Sequence, residues 1–153
     1  AACSLFATGV ICKGPLLKND KFQNSKSIIV KNGKDIALIS SGTIISEVLE
    51  AAKKLEEKGI SVEVVDVQTL LPYDLSDTVS RSVAKTHKVL FVDEDVPGGM
   101  TAYMLNDLLK RKNAFYRLDA APRTLSAKPH LPAYGSDGDY FSKPSVDDIV
   151  EKV

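Results

Sequence analysis

The sequence has no excess charge of either sign and no long apolar run. Its 153 residues carry twenty basic and twenty acidic side chains, which leaves a formal net charge of zero. A protein without a net field is not expected to bind nucleic acid or an anionic membrane surface. The apolar stretch at residues 1–12 is too short to span a bilayer, and Lys13 follows it instead of preceding it, which argues against a signal peptide.

Cysteine and histidine are also scarce. Cys3 and Cys12 both lie in the first dozen residues and match no metal-ligand or redox spacing, so a reducing compartment is predicted instead of a disulfide scaffold. His87 stands close to two lysines before an apolar run and is predicted to lie on the surface. His130 lies in a proline-rich stretch that could hold it for proton transfer. No nucleophile or carboxylate partner for it is recognisable, so a non-catalytic role is favoured.

Short apolar runs alternate with amphipathic stretches along the rest of the chain. At this length, with 44% hydrophobic and 26% charged residues, one globular domain with a substantial core is expected. The apolar runs predict strands at 27–30, 36–39, 62–67, 89–92 and 115–118. Residues 31–34 predict a hairpin turn, and residues 119–143 are predicted to be irregular. The alternation predicts an α/β fold, a three-layer α/β/α sandwich with a mainly parallel sheet.

Four helices are predicted between and after these strands. The first follows Thr43 and ends at Gly59, a typical C-terminal cap, and the last, at 146–152, begins with a capping box of Ser145 and Asp148. The first three rest on apolar residues at helical spacing. These residues are Ile45, Val48, Leu49, Ala52 and Leu55, then Leu75, Val79 and Val83, then Ala102, Leu105, Leu108 and Leu109.

The strand at 89–92 runs directly into Asp93, Glu94 and Asp95, and a Pro97-Gly98-Gly99 turn then leads into a helix. Open α/β sheets present functional groups at such carboxyl edges, with His87 at the opposite edge. The three acids could bind a hard cation or act as an acid/base pair. No second oxygen-rich cluster accompanies them, so a hydrogen-bonded strand end or a partner-binding surface is favoured.

Three further features of the sequence are candidate sites. The turn at 40–43, Ser-Ser-Gly-Thr, could hold an anion at a helix N-terminus, but it lacks the lysine of a phosphate-binding loop, and a plain turn is favoured. Arg123 could recognise a carboxylate or phosphate. The Asp-Gly-Asp at 137–139 inverts the Gly-Asp-Gly signature for magnesium and thiamine diphosphate and lacks the following Asn, so a turn is predicted. The residues alone show no self-contained active site.

Three segments, 34–42, 59–74 and 92–99, resemble the C-terminal domain of the transketolase family. Within that family they are most similar to the beta subunit of the decarboxylating component of 2-oxo acid dehydrogenase complexes, of the 2-oxoisovalerate or pyruvate type. The tail at 123–153 is similar to forms in which alpha and beta regions are fused. The resemblance covers 28–153, which predicts a transketolase C-terminal-like domain there and an extended arm or linker at 1–27.

The resemblance implies a mixed, mostly parallel five-stranded sheet with one antiparallel edge strand. It further implies a larger thiamine-diphosphate enzyme with magnesium, both held by other domains, so that this chain alone has no catalytic, cofactor or metal residues. Expected partners are alpha-type and pyrimidine-binding regions, a second copy in a dimer, and the lipoyl acyltransferase core. The implied location is the cytoplasm in a bacterium or the mitochondrial matrix in a eukaryote.

The resemblance places the dimer and substrate-channel contacts at the Glu94–Gly99 turn and the Arg123–Tyr134 segment. The candidate interface or channel residues are Asp93, Glu94, Asp95, Gly98, Gly99, Arg123, His130 and Tyr134. Two alternatives are a transketolase-type or deoxyxylulose-phosphate-synthase-type enzyme acting on sugar phosphates, and a stand-alone flavodoxin-like binding module. The first would present basic residues to the phosphate, and only Arg123 and Lys128 lie near. The second predicts a stable monomer with a ligand at the carboxyl edge.

Overall fold

One five-stranded sheet organises the computed structural model, which describes residues 26–129 and 141–153. The apolar runs that predicted strands form β2, β3 and β4, and all five positions of β2 are buried. The predicted candidates His130 and Tyr134, the arm at 1–25 and the turn at 137–139 lie outside the described residues. The strands are β1 (Ile28–Lys31), β2 (Ile36–Ser40), β3 (Val62–Asp66), β4 (Val89–Val92) and β5 (Arg123–Leu125).

The strand order is β1-β3-β2-β4-β5, with β1 antiparallel to β3 and every other neighbour parallel. The mixed sheet with one antiparallel edge strand is thereby confirmed. The hairpin predicted at 31–34 is wrong, because β1 pairs with β3 and not with β2. Gly33 serves close packing instead, since a Cβ there would lie 2.1 Å from the backbone carbon of Val62. A turn signal in the sequence indicates that the chain reverses direction, but it does not indicate which strand the preceding strand pairs with.

Helices cover both faces of the sheet and complete the three-layer sandwich. Leu38, Val64 and Leu90 project to one face, and Ile39, Val65 and Phe91 to the other, as the two-residue period of a strand requires. The first face is covered by α1 (Ile45–Glu57) and α4 (Val146–Lys152). The second is covered by α2 (Thr78–Thr86) and α3 (Met100–Asn106), which continues as a π-helical turn over Asp107–Arg111. No helix within the described ranges is long and apolar enough to cross a membrane.

Two helix predictions were wrong in detail. Leu75 is 65% exposed, because α2 begins only at Thr78. At that start the carboxylate of Asp74 accepts hydrogen bonds from the N–H groups of Thr78 (3.0 Å) and Val79 (2.9 Å). Ala102 is exposed, because the helix buries Met104 instead. The Asp74 carboxylate sets the start of α2, and the burial of Met104 sets the inner face of α3. Apolar spacing alone predicts neither.

The strand predicted at 115–118 is also wrong. A 3₁₀ turn, Ala114–Arg117, occupies that segment, and the last strand is β5, within the stretch predicted to be irregular. Arg123 and Thr124 in β5 are exposed and polar, because the strand is short and lies at the sheet edge. Apolar patterning therefore gave no signal for it.

The capping box predicted for α4 is confirmed. Ser145 accepts a hydrogen bond at its side chain from the N–H of Asp148, and the Asp148 carboxylate accepts one from the N–H of Ser145 at 2.8 Å. Substitution Ser145→Ala removes this acceptor and is expected to lower the free energy of unfolding by about 1 kcal/mol. Urea unfolding followed by circular dichroism measures it. Ser46→Ala, at an exposed position in α1, is the control and should change the value by less than about 0.5 kcal/mol.

Candidate functional site at the carboxyl edge of the sheet

The ends of β2, β3, β4 and β5 lie at one edge of the sheet because these strands are parallel. Ser40 and Asp66 are paired in register at the ends of β2 and β3, and the Ser40 hydroxyl donates to the Val92 carbonyl at the end of β4, at 2.8 Å. The segment after β4 carries the predicted acids. The fold thus brings the 40–43 turn and the acids together at the carboxyl edge of the sheet.

Glu94 links three segments of this edge. Its Oε2 accepts a hydrogen bond from the Thr43 hydroxyl at 3.0 Å and lies 3.1 Å from the Lys143 ammonium. Thr43 belongs to the turn after β2, and Lys143 to the C-terminal segment. The Thr43 hydroxyl of the 40–43 turn is therefore already bonded to a carboxylate of the chain itself.

Asp93 is the buried member of the acidic group, with 4% of its surface exposed. Burial raises the pKa of its carboxyl, while hydrogen bonds from the backbone N–H groups of Asp95 and Glu94 act in the opposite direction. Its Oδ2 has no hydrogen-bond partner among the described residues. Asp93 is therefore enclosed at the end of β4 and is not exposed at the surface of the edge.

Asp95 and the glycines shape the exposed tip of the edge. The Asp95 carboxylate accepts a hydrogen bond from the N–H of Val96 at 2.8 Å, and its carbonyl accepts one from the N–H of Ala127 at 2.9 Å. Gly98 adopts φ +90°, which a side chain would disfavour. A Cβ at Gly99 would lie 3.1 Å from Asp95 Oδ2. The turn is held against the segment after β5 and leaves Asp95 and Val96 at the surface.

The other two predicted positions that the structure describes lie away from the acids. Arg123 points its guanidinium to the C-terminal end of α4, where it donates to the Lys152 carbonyl at 2.8 Å. That contact stabilises a helix end and orients the charge away from the edge. His87 is exposed at the opposite, amino edge, with Nδ1 2.7 Å from the Arg117 carbonyl.

Asp66 is a titrating group of this edge that sequence reasoning missed. Burial raises the pKa of its carboxyl to about 6, and a hydrogen bond from the Gln68 side chain partly offsets the effect. The signal in the sequence was an acid at the last position of a strand of valines, where half-burial of a carboxyl is expected. This group changes charge close to neutral pH.

The described acids do not cluster in the way that a magnesium ion bound with thiamine diphosphate requires. Among the residues placed in the structure, no group of three or more His, Cys, Asp or Glu side chains could hold a metal ion. Asp93 is enclosed and Glu94 is neutralised by Lys143. No chemical step through that cofactor is therefore assigned to these residues.

Comparison with protein families matches residues 25–144 to the family described as "Transketolase, C-terminal domain". Curated relatives include the pyruvate dehydrogenase E1 component subunit beta of Mesostigma viride, which is 36% identical over 129 residues, 84% of this chain and 38% of the relative. The subunit of the same name from Acholeplasma laidlawii is 40% identical over 97 residues, 63% of this chain and 29% of the relative. The chain thus spans about a third of the length of these relatives.

Similar solved structures support the fold alone. A split gene transketolase, described as an inactive beta4 tetramer, aligns with a TM-score of 0.69 and 24% identity over 87% of this chain and 41% of the other. A 2-oxoglutarate:ferredoxin oxidoreductase from Magnetococcus marinus aligns with a TM-score of 0.54 and 19% identity over 86% of this chain and 19% of the other. Both share the arrangement of strands and helices at identities too low to transfer a function.

Proposed function

The chain belongs to the transketolase C-terminal domain family, and on that premise we propose that it is the C-terminal domain of a 2-oxo acid dehydrogenase decarboxylating component. The observation that carries the proposal is the 36% identity to a pyruvate dehydrogenase E1 subunit beta over 84% of this chain. Pyruvate and 2-oxoisovalerate are the candidate substrates of the whole enzyme. The substrate pocket is expected on other domains.

In this proposal the chain contributes an interface and the mouth of a substrate channel and is inactive alone. The exposed tip formed by Asp95, Val96 and Gly98 suits contact with another domain or copy, because Glu94 and Lys143 hold its base. Gly99 packs closely against Asp95 and Val96 in the same turn, and Asp93 is buried at its start. Arg123, His130 and Tyr134 remain proposed interface positions, with Arg123 acting through the end of α4.

The whole enzyme would decarboxylate a 2-oxo acid and transfer the acyl group to lipoamide. Thiamine diphosphate, with magnesium, would supply carbanion stabilisation there, and we place both on domains outside this chain. The partners would be alpha-type and pyrimidine-binding regions, a second copy in a dimer and a lipoyl acyltransferase core. The chain's own task is to fix the distance between these parts.

A sugar-phosphate enzyme is the second candidate, because the matched family is described as the C-terminal domain of transketolase. Such an enzyme needs cations at the carboxyl edge for the phosphate. Arg123 is turned to α4, and Lys143 is bonded to Glu94. The described edge therefore favours the 2-oxo acid over the sugar phosphate. A stand-alone binding module would instead be monomeric and need no other domain.

The test isolates the natural protein with an antibody raised against this chain and determines its intact mass and subunits. Its decarboxylation of pyruvate and of 2-oxoisovalerate is then measured with thiamine diphosphate, magnesium and an artificial electron acceptor. A separate assay measures transfer of a two-carbon unit from xylulose 5-phosphate to an aldose phosphate. We expect a much longer chain or an alpha-type partner, with activity on a 2-oxo acid, and no activity from the isolated 153-residue chain. Activity on the sugar phosphate alone would identify the second candidate, and a monomeric natural product near this length would leave the binding module.

A further inference from the structure

Two aromatic side chains are exposed at the amino edge of the sheet, opposite the acids. The 3₁₀ turn Ala114–Arg117 presents Phe115 and Tyr116, which are 65% and 83% exposed. Their rings meet edge to face with centroids 5.6 Å apart. Adjacent exposed rings of this size are typical of surfaces that bind a partner.

The turn that carries these rings is fixed to the fold. The Arg117 carbonyl and His87 Nδ1 are 2.7 Å apart, and the N–H of Asp119 donates to the His87 carbonyl at 2.9 Å. Ala114 is fully buried, and the turn contacts both α2 and the π-helical turn. Because the backbone is already ordered, a partner would lose little binding free energy in ordering the two rings.

Three unpaired cations belong to the turn itself or to segments that contact it. Lys88, Lys110 and Arg117 are exposed and form no ion pair within the described ranges, and Asp119 is the acid that stands among them. Three further cations on the helices of this face are neutralised by acids of the chain itself. Those ion pairs are Lys85–Glu63, Arg111–Asp107 and Lys112–Asp77.

We propose that the Phe115–Tyr116 surface, with Lys88, Lys110 and Arg117, binds an acidic protein segment that carries a bulky apolar side chain. The apolar side chain would cover the rings, and its acidic neighbours would pair with the three cations. Nucleic acid fits less well, because the chain has no net charge and Asp119 adjoins the surface. The surface lies at the edge opposite the Asp93–Gly99 turn, so the proposal does not depend on the function proposed above.

The probe is a fluorescein-labelled twelve-residue peptide of glutamate and leucine, and fluorescence anisotropy measures its binding to the full 153-residue chain. Matched peptides replace glutamate with lysine, or leucine with glycine. We expect the glutamate–leucine peptide to bind and both matched peptides to bind at least about tenfold more weakly. Its affinity should fall as salt is raised from about 50 to 200 mM, because exposed charge pairs are screened.

Two variants test the location. Phe115→Ser with Tyr116→Ser, and Lys88→Glu with Arg117→Glu, should each weaken peptide binding by about tenfold or more. Leu75→Ser and Lys53→Glu, which change exposed apolar and charged positions elsewhere, should leave it unchanged. Matching urea midpoints would show that all four variants are folded.

Four outcomes would overturn the proposal. They are absence of binding, equal binding of the lysine peptide, insensitivity to both double variants, and tighter binding of a twelve-nucleotide single-stranded DNA that the same double variants abolish. The last outcome would assign the surface to nucleic acid. None of them bears on the decarboxylation assays, so this proposal and the proposed function fail separately.

Discussion

Replacement of Phe91 by alanine is expected to lower the free energy of unfolding by about 3–5 kcal/mol. Phe91 lies in β4, is fully buried and is among the largest enclosed side chains of the domain. It packs in the cluster that joins the sheet to α2 and α3, with Val83 and Met104. Its truncation removes apolar contacts and leaves a cavity that neighbouring strands cannot close, because β4 is held between β2 and β5.

Urea unfolding of the purified chain, followed by circular dichroism, gives this difference. Phe115→Ala is a matched control, since it deletes the same atoms from a ring that is 65% exposed. We expect it to change the free energy of unfolding by less than about 1 kcal/mol. Equal losses in the two variants would contradict the burial described for β4.

The second large effect concerns Asp66 and pH. The folded state raises the pKa of this carboxyl from 3.8 to about 6, chiefly through burial. Below about pH 3 the group is protonated in the folded and unfolded states and contributes nothing. Between about pH 3 and 6 the folded state holds the proton more tightly, so stability falls as pH rises. Above about pH 7 the folded state carries a half-buried carboxylate at a cost of about 2–3 kcal/mol.

Substitution Asp66→Asn removes this dependence. At pH 8 the variant is expected to be more stable than the natural chain by about 2 kcal/mol, and the difference should shrink as the pH falls and disappear at about pH 3. Urea unfolding of both proteins at several pH values measures the difference in their free energies of unfolding. The titration of the other acids is common to both proteins and cancels in this difference. Asp119→Asn, at an exposed position, is the control and should show no such trend. A difference that is constant with pH would show that Asp66 is not the group responsible.

Asp66 stands next to Ser40, in the same edge as the acids. A destabilising carboxylate retained at such a position is typical of functional surfaces, where stability is lower than the fold could achieve. The pH experiment therefore also tests whether this edge is a strained part of the domain.

The central part of the fold could be predicted from local patterns. Leu38, Val64 and Leu90 lie in continuous apolar runs, which only strands buried on both faces require. Ser145 and Asp148 specify a helix start by their own side chains. Both signals are local, because the physical cause lies within a few residues of the pattern.

Other elements could not be predicted because their cause is not local. β5 has polar residues at a sheet edge, and β1 pairs with β3, which is distant in sequence, and not with β2, which follows it. Phe115 belonged to a predicted strand, yet it lies on an exposed turn that His87 and Arg117 hold in place. Such contacts join residues far apart in sequence.

The sequence by itself determined the α/β class, the strand–helix order through the central sheet and the acids at the carboxyl edge. Only the tertiary structure decided that Glu94 is bound by Thr43 and Lys143, that Arg123 faces α4 and that Asp66 titrates near neutral pH. The physical reason is that apolar periodicity is a property of each segment. The partner and the burial of a charged side chain depend on segments that meet only when the sheet is assembled.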